Sequence, residues 1–158
     1  MKITLISTGK SDDGWVRDAV KRYADRIPHY TAFQHIETDD VKAKTKKPDP
    51  AALLRMEAQK QMKHIAASDY VVIFDEHGKS VTSEGFADFF AKHHLAGTRN
   101  MVFVIGGAHG FDQEVKARAN ASLSLSKMTL THQMVRILAL EQIYRAHTIL
   151  KGEPYHHS

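Results

Sequence analysis

The alternation of apolar and polar positions along the chain predicts a succession of strands and amphipathic helices. Apolar runs of strand length occur at residues 2–8, 31–38, 70–75, 101–105 and at the start of 121–130. Segments in which apolar residues recur every three or four positions, as on a helix face, are 12–27, 51–67, 80–94, 111–119 and 132–152. Strands that alternate with helices predict an α/β domain with a mostly parallel sheet and helices on both faces. We expect residues 1–158 to form one such domain.

Three local features refine this prediction. The first helix places Trp15, Val16 and Val20 on one apolar face. Residues 76–79, Glu-His-Gly-Lys, follow the third strand and predict a turn. The segment 39–50 is dominated by charged residues, including several lysines, and predicts an exposed loop.

The last helix is apolar on more than one face. Between Met134 and Leu150 the polar interruptions are mainly Arg136, Glu141, Gln142 and Arg145. A helix of this kind in a small domain must bury a second face somewhere. A second copy of the chain, packed through a two-fold interface, would cover it, and burial under the sheet of a monomer is the alternative.

Composition narrows the class of protein. The chain has no cysteine, which excludes disulfides and thiolate zinc sites and fits a reducing cytoplasm. No apolar run approaches the roughly 20 residues of a membrane span. The net charge of +4 is a mild indication of a polyanionic partner. The 11 histidines do not predict a metal site, because adjacent pairs such as His93 and His94 diverge on a helix.

A glycine turn follows the fourth strand, at Gly106, Gly107 and Gly110. Its G-G-x-x-G spacing differs from the dinucleotide fingerprint, and no Lys-Ser/Thr follows as in a phosphate-binding P-loop. Glycines allow backbone to approach a ligand closely, so the turn suits an adenosine-type ligand without phosphates. A tight turn with only a structural role is the alternative.

Three strand ends lead into loops of unusual content: 74–78, 105–110 and 123–136. In a parallel sheet the carboxyl ends of the strands lie together, and ligands bind in the crevice beside them. We therefore expect these loops to form one pocket.

The same loops carry a resemblance to a known family. The segments "FDEHGK", "FVIGGAHG", "LSLSKMTLTHQMVRILALEQIYRA" and "GEPYHHS" resemble small SPOUT-class RNA methyltransferases. The similarity is greatest to the ribosomal RNA large subunit methyltransferase H family, which methylates N3 of a pseudouridine in 23S ribosomal RNA. The resemblance implies a C-terminal trefoil knot, a homodimer, S-adenosylmethionine as cofactor and a substrate in the assembled 70S ribosome. A ribosome-binding factor of the same fold without catalysis is the alternative.

The resemblance also implies roles for individual residues. The implied cofactor contacts are Phe74, Gly106, Gly107, Leu125, Ser126, Lys127, Met128, Thr129 and Leu130. The implied catalytic residues are Tyr155, His156 and Arg145. The residues expected to contact RNA are His132, Arg136, His157, Lys44 and Lys46.

Several of these roles have structural alternatives. His132 could instead cap the last helix, and the lysines at 44 and 46 could belong to a solvated loop. Arg136 and Arg145 are nine residues apart, about half a turn out of phase on a helix, so they cannot point at one site within a subunit. Arg145 could simply pair with Glu141 four residues earlier.

Overall fold

The computed structural model describes residues 1–41 and 49–157. The strands are β1 (Lys2–Ser7), β2 (Phe33–Glu37), β3 (Tyr70–Ser80), β4 (Asn100–Ile105) and β5 (Ala121–Ser124). The helices are α1 (Gly14–Ala24), α2 (Pro50–Met62), α3 (Ser83–Leu95), α4 (Gln113–Arg118) and α5 (His132–Leu150), with a 3-10 turn at Ile27–His29. No helix within the described residues is long and apolar enough to cross a membrane.

The strands form one five-stranded sheet in the order β2-β1-β4-β3-β5, and each neighbouring pair is parallel. The predicted α/β class and parallel sheet are therefore confirmed. Because all strands run the same way, their carboxyl ends meet at one edge. That edge carries the loops after β4 and β5, whereas the first predicted loop, residues 74–78, lies within β3.

Helices cover both faces of the sheet, as predicted. Successive side chains of a strand point to opposite faces, and the core divides accordingly. On one face, Leu5 and Phe103 belong to a cluster with residues of α1, α3 and α5. On the other face, Ile6 and Val104 pack with Ala58 of α2 and with residues of α4.

Polar side chains and one proline fix where the helices begin. The side chains of Asp49, Thr82, Asp112 and Thr131 each accept a hydrogen bond from a backbone N–H in the first turn of the helix that follows. Pro50 occupies the first turn of α2, as its fixed φ allows. Because Thr131 caps α5, the alternative that His132 is the cap is wrong.

The predicted turn at residues 76–79 is wrong. The strand β3 continues to Ser80, and after a register shift Lys79 pairs with Leu123 of β5. Gly78 makes this close pairing possible: a Cβ there would lie 2.7 Å from the backbone carbonyl carbon of Leu123. Glycine in a sequence can mark either a turn or a close approach of two backbones, and at position 78 it marks the close approach.

Only part of the apolar face predicted for α1 is buried. Val16 and Val20 lie in the core, whereas the Trp15 side chain is 57% exposed. Helix α5 buries one stripe that includes Ala139, Leu140 and Ile143. Its opposite side stays partly accessible, with Met134 37% exposed, so the fold of one chain does not bury the second apolar face.

Candidate functional site

A cleft of about 1010 Å³ lies at the carboxyl edge of the sheet. Residues 74–77 within β3 and the loops after β4 and β5 form most of its wall, and the segment after β1 forms the rest. The three segments therefore line one pocket, as expected from the parallel sheet, although residues 74–78 belong to β3 and do not form a loop.

The glycine turn after β4 is closed by backbone contacts. The N–H of Gly110 donates to the carbonyl oxygen of Gly107 at 3.1 Å, and Gly110 has a φ of +81°. A Cβ on Gly106 would lie 2.5 Å from the carbonyl oxygen of Gly110. The turn therefore requires glycine at 106 on steric grounds and at 110 on conformational grounds. The backbone of this turn lines the cleft.

Hydrogen bonds from its own side chains shape the loop after β5. The Ser124 hydroxyl donates to the carbonyl oxygen of Ser126 at 2.8 Å, and the Ser126 hydroxyl accepts from the N–H of Met128 at 3.0 Å. The Thr129 hydroxyl donates to the Glu76 carboxylate at 2.8 Å, which links this loop to β3. Two walls of the cleft are thus held together.

The cleft has an acidic wall and scattered basic groups. Its carboxylates are Asp12, Asp13, Asp75 and Glu76, and its basic or titratable nitrogens belong to His77, His109, Lys116 and His132. Burial, with the nearby Arg136 charge, lowers the pKa of His132, which favours the neutral ring. Among residues 1–41 and 49–157, no group of three or more His, Asp or Glu is arranged to hold a metal ion.

Eight of the nine residues implied as cofactor contacts line this cleft; Lys127 is the exception. The ring of Phe74 is 7% exposed and stacks on Phe103 with centroids 5.2 Å apart. Phe74 is therefore mostly buried at the base of the cleft. Leu125 lines both the cleft and a smaller neighbouring cavity.

The three residues implied as catalytic form a second cluster, at the C-terminal end of α5. The Arg145 guanidinium binds the Glu141 carboxylate through Nε at 3.0 Å and Nη2 at 2.5 Å. The same guanidinium lies 4.7 Å from the ring centroid of Tyr155, whose hydroxyl donates to Glu141 at 3.1 Å. Nη1 of Arg145 lies 3.3 Å from Nδ1 of His156. Arg145 therefore forms the ion pair with Glu141 that its spacing allowed, and it also contacts Tyr155 and His156 of the C-terminal tail.

This tail cluster is distant from the amino-terminal end of α5 within one chain. Arg145 lies 13 residues after His132, which corresponds to roughly 20 Å along a helix. A cavity of about 310 Å³ lies between the two regions. Phe74 and Leu125 line it from the cleft side, and Ser83 and Gln142 line it from the side of the tail.

Comparison with known proteins identifies the family. A family model described as "Predicted SPOUT methyltransferase" matches residues 1–156. The chain belongs to this family. It is 44% identical over 157 residues to the protein named ribosomal RNA large subunit methyltransferase H in Christiangramia forsetii, with 99% of each chain covered. The proteins of the same name in Geobacter sp. strain M21 and Geobacter metallireducens are 42% and 41% identical, with 99% or more of each chain covered.

One residue expected to contact RNA in this SPOUT methyltransferase has a different environment. The Arg136 side chain is fully buried and donates to Thr8, Gly9 and Glu37. Its guanidinium is occupied by protein acceptors, so the expectation that it binds RNA is wrong for the described fold. Arg136 and Arg145 do point to different regions, as their spacing predicted.

The other expected RNA contacts have different positions. His132 lines the cleft, and His157 is exposed in the tail. Lys44 and Lys46 lie outside the described residues.

Sequence reasoning missed the contribution of the first strand to the cleft. Asp12, Asp13 and Trp15 follow β1 and line the pocket together with Gln133 of α5. Gln133 fixes this segment by donating to the carbonyl oxygen of Lys10 at 2.9 Å and accepting from the N–H of Asp12 at 3.2 Å. The strand order would have revealed these residues, because β1 lies next to β4.

Proposed function

We propose that this SPOUT methyltransferase uses S-adenosylmethionine to methylate N3 of a pseudouridine in large-subunit ribosomal RNA. We propose that its substrate is the assembled 70S ribosome. We also propose that the protein is cytoplasmic, because a chain without cysteine fits a reducing compartment. The observation that carries the proposal is full-length similarity, at 40–44% identity, to proteins named ribosomal RNA large subunit methyltransferase H. The convergence of eight implied cofactor residues on one cleft supports it.

The glycine turn and the charges of the cleft support S-adenosylmethionine as its ligand. The glycine turn offers backbone groups to a flat adenosyl moiety, and it lacks the phosphate-binding spacings. The carboxylates of Asp12, Asp13, Asp75 and Glu76 suit the sulfonium and ammonium charges of this ligand. When bound, S-adenosylmethionine supplies an electrophilic methyl group, and no metal is needed for its displacement.

The protein's own contribution is to orient the base and favour loss of its N3 proton. A cation near an acidic group lowers the pKa of that group, so a guanidinium beside the imide favours its anion. Arg145 has this charge, and Glu141 raises its pKa further, so it stays protonated. Tyr155 and His156 hold it in place, and alignment of nucleophile and methyl group supplies much of the rate. We assign no general base.

We further propose that the enzyme is a homodimer in which the tail of one protomer completes the cleft of its partner. Two features support this arrangement. The tail cluster lies roughly 20 Å along α5 from the cleft residue His132, and the outer side of α5 leaves Met134 partly exposed. The trefoil knot implied by the resemblance stays a prediction.

RNA contacts are proposed for His132 and His157, which lie in the cleft and in the tail. Lys116 at the cleft adds a positive charge that the sequence had not indicated. The RNA contacts expected of Lys44 and Lys46 stay predictions. The modest net charge suits an RNA presented by a folded ribosome, where shape contributes to recognition.

The decisive experiment is methyl transfer from labelled S-adenosylmethionine to ribosomes that lack the modification, with the product nucleotide mapped by mass spectrometry. We expect label at one pseudouridine of the large-subunit RNA, with more incorporation into 70S ribosomes than into free subunits. Cofactor binding without label would indicate a different substrate. Neither binding nor label would favour the non-catalytic ribosome-binding factor.

A truncated variant that lacks residues 154–158 tests the role of the tail. We expect it to fold and to bind S-adenosylhomocysteine while losing methyl transfer. Unchanged activity in this variant would exclude the proposed tail role.

A further inference from the structure

Glu84 connects helix α3 to the C-terminal tail. It lies in the first turn of α3, and its Oε1 lies 2.7 Å from Nε2 of His156, 72 residues further along the chain. The Glu84 side chain is 51% exposed, whereas that of His156 is only 19% exposed. Glu84 lines neither the large cleft nor the smaller cavity, although its neighbours Thr82 and Ser83 line the latter.

The two partners of His156 select one tautomer of its imidazole. Nδ1 lies 3.3 Å from Nη1 of Arg145, and a guanidinium can only donate, so Nδ1 must be the acceptor. The proton of the neutral ring is then on Nε2, where an ionised Glu84 carboxylate, which can only accept, receives its hydrogen bond. Arg145 and Glu84 therefore require the same tautomer.

The Glu84 carboxylate is charged at neutral pH. Hydrogen bonds from its own backbone N–H, from His156 and from Thr82 lower its pKa to about 2. The amino-terminal end of α3 is a favourable place for a negative charge. His156 thus lies between the anionic Glu84 of α3 and the cationic Arg145 of α5.

Arg145 is held on its other sides by α5 and the tail. Its Nε and Nη2 bind Glu141, and its plane lies over Tyr155. Only Nη1 extends to His156. The order Glu84, His156, Arg145 is therefore the route by which α3 reaches Nη1 of the guanidinium. A second series of hydrogen bonds runs from Ser83 of α3 through Gln142 to Glu141, which holds Nε and Nη2.

We propose that Glu84 is a positioning residue for the methyl transfer. It holds His156 in the tautomer protonated on Nε2, and through that ring it fixes the Arg145 guanidinium. The consequence for turnover rests on the proposed function. The effect of Glu84 on the tautomer of His156 does not depend on the proposed function.

The test compares Glu84→Ala and Glu84→Gln with matched changes at Glu114. Glu114 is also an exposed acidic residue in the first turn of a helix, α4, and it lies outside the cleft and the smaller cavity. The tautomer of His156 is measured by nitrogen NMR on full-length protein with labelled histidine, and His156→Asn identifies its signals. Methyl transfer to unmethylated ribosomes and affinity for S-adenosylhomocysteine are measured on the same variants.

We expect Glu84→Ala to shift the His156 signals toward a mixture of tautomers and to lower kcat about tenfold. Affinity for S-adenosylhomocysteine should change less than twofold. Glu84→Gln should retain the tautomer and recover much of kcat, because its amide oxygen still accepts from Nε2. The Glu114 variants should match the unaltered protein.

Unchanged His156 signals in Glu84→Ala would overturn the proposal. An equal loss of kcat in Glu84→Ala and Glu114→Ala would also overturn it, because a general charge effect would then suffice. If the unaltered protein transfers no methyl group, the proposed function fails, and the NMR comparison still decides whether Glu84 positions the ring.

Discussion

The fully buried guanidinium of Arg136 forms an ion pair with Glu37, with Nη1 and Oε1 3.2 Å apart. The same guanidinium donates to the backbone oxygens of Thr8 at 3.0 Å and Gly9 at 3.2 Å. Arg136 therefore fastens the segment after β1, which forms one wall of the cleft, to α5 and to the end of β2. Arg136, one of the residues expected to contact RNA, is thus an internal anchor in the described fold.

Arg136→Ala should therefore destabilise the fold strongly. Breaking a buried ion pair typically costs about 3–5 kcal/mol. The Glu37 side chain is 25% exposed, so water can partly solvate it and we expect the lower end, about 3 kcal/mol. Urea unfolding at a fixed protein concentration measures the change. A cost below about 1 kcal/mol, typical of a surface arginine, would contradict the anchoring role.

Arg17→Ala is a suitable control for that measurement. Arg17 is exposed and also donates to this segment, at 2.6 Å from Nη1 to the carbonyl oxygen of Asp12. We expect its loss to cost less than about 1 kcal/mol. The double variant Arg136→Ala/Glu37→Ala should cost less than the sum of its single variants, because the two residues interact directly.

His35 should make the protein less stable in mild acid. Burial lowers the pKa of His35 from 6.5 to about 4, although the nearby Glu37 opposes the shift. Between these pH values the unfolded chain binds a proton that the folded chain does not. The stability from the neutral ring is thus present above pH 6.5 and is lost as the pH falls toward 4, by about 3 kcal/mol in total.

Unfolding measured at about pH 7 and about pH 5 tests this prediction. His35 should account for about 2 kcal/mol of the stability lost between them. In His35→Gln that part of the pH dependence should disappear, whereas His64→Gln, which alters an exposed histidine, should retain it. Burial also lowers the pKa of His93, His132 and His147, so some dependence should persist in both. Equal pH dependence in the two variants would refute the assignment.

Gly106→Ala should weaken cofactor binding. The new methyl group would lie 2.5 Å from the carbonyl oxygen and 3.0 Å from the carbonyl carbon of Gly110, and neither backbone atom can move without opening the turn. We expect affinity for S-adenosylhomocysteine, measured by calorimetry, to fall at least about tenfold, which corresponds to about 1.4 kcal/mol.

Gly85→Ala provides the matched control for the glycine turn. A Cβ at Gly85 would meet only side-chain atoms of Thr82 and Val81, at 3.5 and 3.6 Å. Because alanine favours a helix over glycine by about 1 kcal/mol, this variant should be as stable as the unaltered protein or more so, with unchanged affinity. Undiminished binding by Gly106→Ala would mean that the turn is not part of the cofactor site.

The sheet and most helices could be predicted because their signals are local. Continuous apolar strands indicated a sheet covered on both faces, and helical periodicity at 51–67 and 111–119 indicated the segments that contain most of α2 and all of α4. The three loops could be placed together because parallel strands end at one edge. The prediction for residues 76–79 failed because a glycine in a strand and a glycine in a turn look alike until the pairing partner, Leu123, is known.

The environment of each polar residue depends on contacts that are remote in sequence. The two terminal nitrogens of Arg136 bind groups on residues 99 to 128 positions away, so no local pattern indicates its burial. The link between Glu84 and His156 spans 72 positions. Trp15 occupies a helical position that looks apolar, and only the strand order shows that it faces the cleft. Spacing indicated that Arg136 and Arg145 diverge, but not where either points.

Met134→Glu should separate the proposed homodimer. Met134 is 37% exposed and lies in the first turn of α5, on a side that one chain leaves partly accessible. A carboxylate there would be buried against an apolar surface of the second copy, which is costly without a partner charge.

Leu95→Glu, at a position 87% exposed at the end of α3, is the control. Sedimentation velocity over a range of concentrations should show a monomer for Met134→Glu and a dimer for Leu95→Glu and the unaltered protein. Methyl transfer should fall with the dimer, because each cleft would lose its partner's tail; an active Met134→Glu monomer would mean that one chain forms the complete site.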